Sequence, residues 1–339
     1  MDAKKQEAVS PELIFRTLNA YQQTAALKAA IELDLFTAVA EGNDSAGALA
    51  ARCQTSERGM RILCDYLVVT GLLNKHQGRY GLTPDAAAFL NRHSPAYLGS
   101  VVKFINSSYL MDGFKDLAAV VRKGGTVVSQ EGALAPEHPM WEEFARSMAP
   151  MMGPPSEMIA EIVGADRAGA WKVLDIAAGH GIFGIALAKH NPQAEIFALD
   201  WPNVLKVAVE NAQGAGVGSR YHQIPGSALE VDYGGDYDLV LFTNFFHHFD
   251  RQACENLMRK AHAALKAGGR AVTLEFVPNE DRVSPPTAAT FSLMMLGTTP
   301  AGDAYTFSEY EQMFRAAGFS RSELHALPNS PEQVIVSYN

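Results

Sequence analysis

Between Asp175 and Gly184 the chain reads Asp175-Ile-Ala-Ala-Gly179-His-Gly181-Ile-Phe-Gly184. Glycines at this spacing let a backbone leave a strand, turn sharply and enter a helix while staying close enough to touch a ligand. Asp200 closes the next predicted strand, where a carboxylate can accept hydrogen bonds from both hydroxyls of a ribose. Gly179, Gly181 and Gly184 also satisfy the G-x-G-x-x-G pattern of dinucleotide sites. The glycines alone therefore leave two nucleotide cofactors open, NAD and S-adenosylmethionine. Further along, Asn244 and the pair His247-His248 stand at another strand-to-helix turn, and Glu275 ends the strand after that.

Three features favour S-adenosylmethionine. The negative charge of Asp175, ahead of the glycines, suits a sulfonium and an ammonium better than a pyrophosphate. The second half of the sheet offers no matching unit for a second nucleotide, because the chain ends in a predicted hairpin. The turn Leu265-Lys-Ala-Gly-Gly-Arg270 leads directly into a strand, as methyltransferase sheets commonly do. No metal is expected: Cys53, Cys64 and Cys254 are too scattered for a cage and read as small core residues.

The elements that must position these groups follow from apolar spacing. Strands at 172–176, 195–199, 221–224, 237–242 and 271–276 alternate with helices, which predicts an α/β, Rossmann-like parallel sheet with right-handed crossovers. Residues 321–325 and 333–337, parted by a Pro-Asn-Ser-Pro turn, should pair as a hairpin. The N-terminal part is helical instead: Ile14, Leu18, Tyr21 and Ala25 share a face that Leu27 and Ile31 continue. A helix capped at Thr55 or Ser56 should stop at Gly71. A small hairpin over 72–74 and 79–82 follows, then a helix opened by Thr83-Pro84. Two proline-rich stretches, 135–139 and 149–155, bracket what reads as a short helix carrying Trp141, Phe144 and Met148. The expected division is a winged-helix region over 1–100, a helical linker and cap over 101–155, and the cofactor domain over 156–339.

At 339 residues, 47% hydrophobic and with a net charge of −9, the chain is a folded protein of more than one unit. The charge argues against nucleic acid or anionic membrane as a partner. Residues 1–100 carry equal numbers of basic and acidic side chains, unlike a DNA-binding face, which weighs against a winged-helix regulator with a ligand-sensing domain. No apolar run is long enough to cross a bilayer. The polar start, Met1 to Ser10, lacks the features of a secretory signal, so the expected location is cytoplasmic.

The glycine loop, Leu199-Asp200-Trp201-Pro202, Asn244-Phe-Phe-His247-His248-Phe249-Asp250 and Pro300-Ala-Gly-Asp-Ala-Tyr-Thr306 together resemble the O-methyltransferases that include plant caffeate and flavonoid enzymes and acetylserotonin methyltransferase. The resemblance spans nearly the whole chain. It implies a homodimer with interlocking N-terminal helices, S-adenosylmethionine as methyl donor, S-adenosylhomocysteine as product and a small-molecule acceptor. It makes His247 the general base and Glu275 the acid that orients it. Where the family has a second glutamate this chain has Ala304, leaving Asp303 as a neighbouring candidate. On the cofactor side stand Asp175, Gly179, Gly181, Asp200, Trp201, Ser227, Ala228 and Asn244. On the substrate side stand Trp141, Phe144, Met148, Met152, His248, Phe291 and Met295, an apolar set suited to flat or flexible hydrophobic molecules. Methyl transfer to nitrogen or carbon, or non-methylating chemistry, stays open as an alternative.

Overall fold

The computed structural model describes residues 9–135, 137–167 and 169–339. The polar start up to Ala8 lies outside the described residues. The chain divides into two compact units, up to Val102 and from Lys103 onward. Residues 103–155 of the expected cap therefore fall in the second unit rather than standing between two domains.

In the first unit, helices Ala20–Glu32, Leu35–Ala40, Ala46–Arg52 and Glu57–Val69 surround a core of Leu35, Phe36, Leu49, Met60, Cys64 and Leu67. The capping expectations hold. Ser56 Oγ accepts from Gly59 N at 3.1 Å, Gly71 is left-handed just past the helix, and Thr83 Oγ1 caps the Pro84–Phe89 helix. Strands β1 (Leu73–His76) and β2 (Arg79–Leu82) form the antiparallel hairpin. The first helical face differs from expectation: Ile14, Leu18 and Tyr21 are 62%, 65% and 68% exposed, while Ile31 is buried. The apolar spacing is helical, but no other element of this unit covers that stripe.

The second unit is built on a seven-stranded sheet in the order β5-β4-β3-β6-β7-β9-β8. Its strands are β3 (Lys172–Ile176), β4 (Glu195–Asp200), β5 (Tyr221–Pro225), β6 (Tyr237–Thr243), β7 (Leu265–Glu275), β8 (Arg321–Ala326) and β9 (Gln333–Tyr338). The first five run parallel, and β9 and β8 close the edge antiparallel. Strand order reverses between β3 and β6, so the crevice above their carboxyl ends is where a ligand fits an open α/β sheet. Strand β7 starts at Leu265, so Gly268 and Gly269 lie within it, opposite a register shift at Tyr237 and Leu239, rather than in a turn before it.

The proline-flanked segment is also longer than its sequence suggests. Met140–Val163 is a single 24-residue helix containing Pro150, Pro154 and Pro155. Each proline removes a helical hydrogen bond and crowds the preceding turn. The helix persists because Met148, Met152, Pro155, Ile159 and Val163 are buried along it, and burial outweighs propensity. The expected boundary at 155 thus falls inside a continuous helix.

Close packing of the helix Ile182–His190 on the sheet depends on Gly184. A Cβ there would lie 2.7 Å from Ile196 Cγ2 and 2.9 Å from Asp175 Oδ2. Gly184→Ala should therefore cost about 1–3 kcal/mol of stability through overpacking, read as a lower urea midpoint. An unchanged midpoint would mean that the helix moves away freely.

Candidate active site

The glycine loop begins where β3 ends. Ala177, Gly179 and Gly181 all have positive φ, and Gly181 caps the helix Ile182–His190. A Cβ on Gly181 would come within 2.6 Å of the Tyr221 hydroxyl, so glycine is required there by space as well as by φ. Asp200 ties the loop to β4: its Oδ2 accepts from Gly179 N at 2.8 Å and its Oδ1 from Trp201 N at 2.7 Å. Those bonds leave lone pairs toward a cleft that is partly open to solvent. Its lining includes Gly179, Asp200, Trp201, Ser227, Ala228 and Asn244 on the sheet side, and Trp141, Phe144 and His248 on the other.

Burial pushes the Asp200 carboxyl up to about 6, against the lowering effect of the Gly179 and Trp201 amides. Ser227 Oγ accepts from Leu229 N at 3.2 Å. Asn244 has φ +55°, and its Oδ1 is buried without a donor. Phe144 lies over the loop, with its ring 6.1 Å from that of His180 and nearly parallel to it. Burial lowers the His180 imidazole to about 4, so this ring is neutral.

Asp175 has a different place from the one its sequence position suggests. It is fully buried beneath the loop, outside the cleft lining, and its Oδ2 accepts from Gly184 N at 3.2 Å. Burial raises it to about 7. Its Oδ2 ties the end of β3 to the helix, and its Oδ1 is buried without a donor. Gly181 likewise shapes the loop from behind, as the helix cap.

His247 and Glu275 form the second part of the site. Glu275 Oε1 accepts from the backbone N–H groups of Phe245, Phe246 and His247 at 2.9, 2.8 and 3.4 Å. Its Oε2 lies 2.5 Å from His247 Nδ1. The Glu275 side chain has no exposure and the His247 side chain only 6%. The His247 ring meets Phe291 edge-on at 4.8 Å, and Phe291 stacks on Phe276 at 3.9 Å. His248 lines the cleft, which His247 does not, with its ring 4.2 Å from that of His247 and 5.1 Å from Trp141. Burial, together with the neighbouring His247, holds the His248 imidazole well below its usual value.

The remaining predicted residues divide. Met152 reaches the site, with its Sδ 3.9 Å from Asn244 Nδ2. Met148 and Met295 are buried, and Met148 does not line the cleft. Asp303 does not turn toward His247: its carboxylate pairs with Arg282 and accepts from Ala304 N. Arg282, which also holds Glu309, is the cation that draws it outward. Sequence reading missed Glu332, which is 3% exposed and close enough to Asn244, Glu275 and His247 to feel all three. Its only signal was a carboxylate next to the first residue of a buried strand.

Two family domains match the chain: an O-methyltransferase domain over residues 144–320 and an O-methyltransferase dimerisation domain over 15–92. A crystal structure of a Nostoc punctiforme protein assigned as an O-methyltransferase shares 57% identity, with 98% of this chain and 100% of that one covered, at a TM-score of 0.96. The chain belongs to the O-methyltransferase family. It is an S-adenosylmethionine-dependent methyltransferase with a dimerisation domain in its first unit. Among curated relatives, 3-hydroxy-5-methyl-1-naphthoate 3-O-methyltransferase of Streptomyces sahachiroi is 29% identical over 91% of this chain and 90% of its own length. L-tyrosine C(3)-methyltransferase of Streptomyces lavendulae is 26% identical over 87% and 82%.

The cleft of this methyltransferase fits the cofactor. Asp200 offers acceptor lone pairs for ribose hydroxyls, Gly179 presents bare backbone, and Trp201, Ala228 and Leu229 supply apolar surface for a flat base. Among the described residues, no cluster of three or more His, Cys, Asp or Glu side chains could hold a metal ion. No helix among them is long and apolar enough to cross a membrane.

As the ribose acceptor that its place in the cleft suits, Asp200 would set a pH limit on binding. With its carboxyl raised to about 6, the protein without ligand carries a proton there below that pH, and this proton must leave before both oxygens can accept. Affinity for S-adenosylhomocysteine should be flat above pH 7 and fall about tenfold for each pH unit below 6. Asp200→Asn should bind more weakly, by on the order of 1.5–3 kcal/mol, without that slope. Calorimetry across pH 5 to 8 reads both, and a slope that survives in Asp200→Asn would place the titrating group elsewhere.

Proposed function

We propose that this enzyme transfers a methyl group to a hydroxyl oxygen of a small, largely apolar aromatic acceptor, with His247 taking the hydroxyl proton. The observation that carries this reading is the buried contact of His247 Nδ1 with Glu275 Oε2 at 2.5 Å. A proton on Nδ1, donated to the carboxylate, leaves Nε2 as the lone-pair nitrogen and fixes the plane of the ring. Glu275 cannot drift, because three backbone N–H groups hold its other oxygen. It acts as a positioning residue.

The bound cofactor supplies a methyl group on a sulfonium. Asp200, Trp201, Ser227, Ala228 and the Gly179 backbone would hold it, and the chain's remaining work is to orient the acceptor and exclude water. Phe291 and Phe276 make an apolar wall beside His247, where an oxyanion formed as the proton leaves meets little competing solvation. Proximity and proton removal are the two contributions such a site makes to displacement at carbon.

An aromatic acceptor is supported by this wall and by the naphthoate substrate in the name of the Streptomyces sahachiroi relative. Removing a phenolic proton also activates the ring carbon beside the oxygen, so the same base serves the carbon methylation named for the tyrosine relative. The outward turn of Asp303, which leaves His247 with Glu275 as its carboxylate partner, gives that second reading its footing. The dimerisation domain and the exposed Ile14, Leu18 and Tyr21 face support a homodimer.

The test uses methyl-labelled S-adenosylmethionine and a panel of phenols and hydroxynaphthoates. Mass spectrometry detects methylated product, and NMR tells an O-methyl from a C-methyl group. His247→Ala should lower turnover by about 10² or more, with affinity for S-adenosylhomocysteine nearly unchanged. Turnover retained at neutral pH would remove His247 from the role of base.

A further inference from the structure

Glu332 is a buried carboxylate that neither the packing of the sheet nor the proton transfer at His247 uses. It lies in the turn before β9, 3% exposed, with its backbone N–H bonded to Ser330 Oγ at 3.1 Å. Its Oε1 has no donor. The Asn244 amide is its hydrogen-bonding neighbour, and the titratable groups acting on it are Glu275 from the end of β7 and His247 from the turn after β6. Asn244 in turn places Nδ2 3.9 Å from Met152 Sδ and leaves Oδ1 buried without a donor. Leaving one buried acceptor unsatisfied is costly, and here there are two on adjoining side chains.

The two residues line different openings. Asn244 lines the cofactor cleft, and Glu332 lines a groove with Asn279, Pro285 and Thr287 at the carboxyl edge of the sheet. We propose that Glu332 and Asn244 form a recognition site for a protonated amine, which donates to both orphaned oxygens as it binds. With Glu332 ionised, as at pH 8, the vacant atoms are acceptors, and an occupant that donates satisfies both. A cation suits the site better than a neutral hydroxyl, because it also compensates the burial of the carboxylate charge. Burial raises the Glu332 carboxyl to about 7, and a cation bound beside it would favour the ionised form again.

An amine can reach this pair from two sources: the amino group of the cofactor's methionine portion, or an amine carried by the methyl acceptor. The inference rests on the reading of the cleft as the cofactor site, and the experiment separates the two failures. Calorimetry at pH 8 measures S-adenosylhomocysteine binding to the full chain and to Glu332→Gln. It then measures tyramine and 4-ethylphenol, which differ in the amine, on the protein saturated with S-adenosylhomocysteine.

If the acceptor brings the amine, the wild-type protein should bind tyramine roughly ten- to hundredfold more tightly than 4-ethylphenol. Glu332→Gln should abolish that preference while leaving S-adenosylhomocysteine affinity unchanged. If the cofactor brings it, Glu332→Gln should weaken S-adenosylhomocysteine by a similar factor, and a deaminated analogue should bind both proteins equally. No preference for tyramine, including no binding of either probe, together with unchanged cofactor affinity in Glu332→Gln, overturns the inference. The wild-type comparison does not depend on whether the variant folds. Failure of the wild-type protein to bind S-adenosylhomocysteine at all would overturn the cofactor-site reading and this inference with it.

Discussion

The active end of this enzyme depends on one buried carboxylate. Glu275 accepts from three consecutive backbone N–H groups with one oxygen and contacts His247 Nδ1 with the other. The three amides belong to the turn that follows β6, where no strand or helix ladder is available to satisfy them. The carboxylate therefore gives that turn its conformation, and the turn in return compensates the desolvation of the carboxylate. Because β6 and β7 are neighbours in the sheet, the end of β7 delivers Glu275 to the turn after β6 without any intervening loop. His247 and His248 are consecutive in that turn, one packed inward against Phe291 and the other facing the cleft.

Two further buried carboxylates bind backbone amides at the glycine loop. Asp175 and Asp200 also stitch the glycine loop through backbone amides, but with one amide and two amides respectively. Burial outweighs those bonds and raises both groups, to about 7 and about 6. Asp175 also feels the charge of Asp200. The loop is thus held by two acids that fold at some electrostatic cost, which ligand hydroxyls at Asp200 can relieve.

Much of this was legible in the sequence. Strand limits, the wing, the caps at Ser56 and Thr83 and the terminal hairpin all follow from local spacing and turn chemistry, which act over a few residues. The glycine loop and Asp200 were legible for the same reason, since each sits at the end of a strand of clear pattern. What the sequence obscured depends on long-range partners. The prolines at 150, 154 and 155 read as helix breaks, yet the buried methionines and Ile159 carry one helix through them. Asp303 was a plausible acid by position, but Arg282, 21 residues away, determines where it points. The orientation of Asp175 was equally hidden, because alternation along β3 does not say which buried face lies beneath the loop.

Glu332 shows the limit most clearly. By sequence it is one carboxylate in a polar turn between the last two strands, the commonest setting for a solvated side chain. Its burial arises because β9 pairs antiparallel with β7, placing Gln333 opposite Glu275. The residue before Gln333 then falls at the carboxyl edge of the sheet, beside Asn244. The parallel strands bring the ligand-facing groups to that edge by their carboxyl ends, whereas the antiparallel strand brings one by its amino end. The reversed hairpin thereby adds a side chain to the site from a position that the parallel βα pattern does not reach.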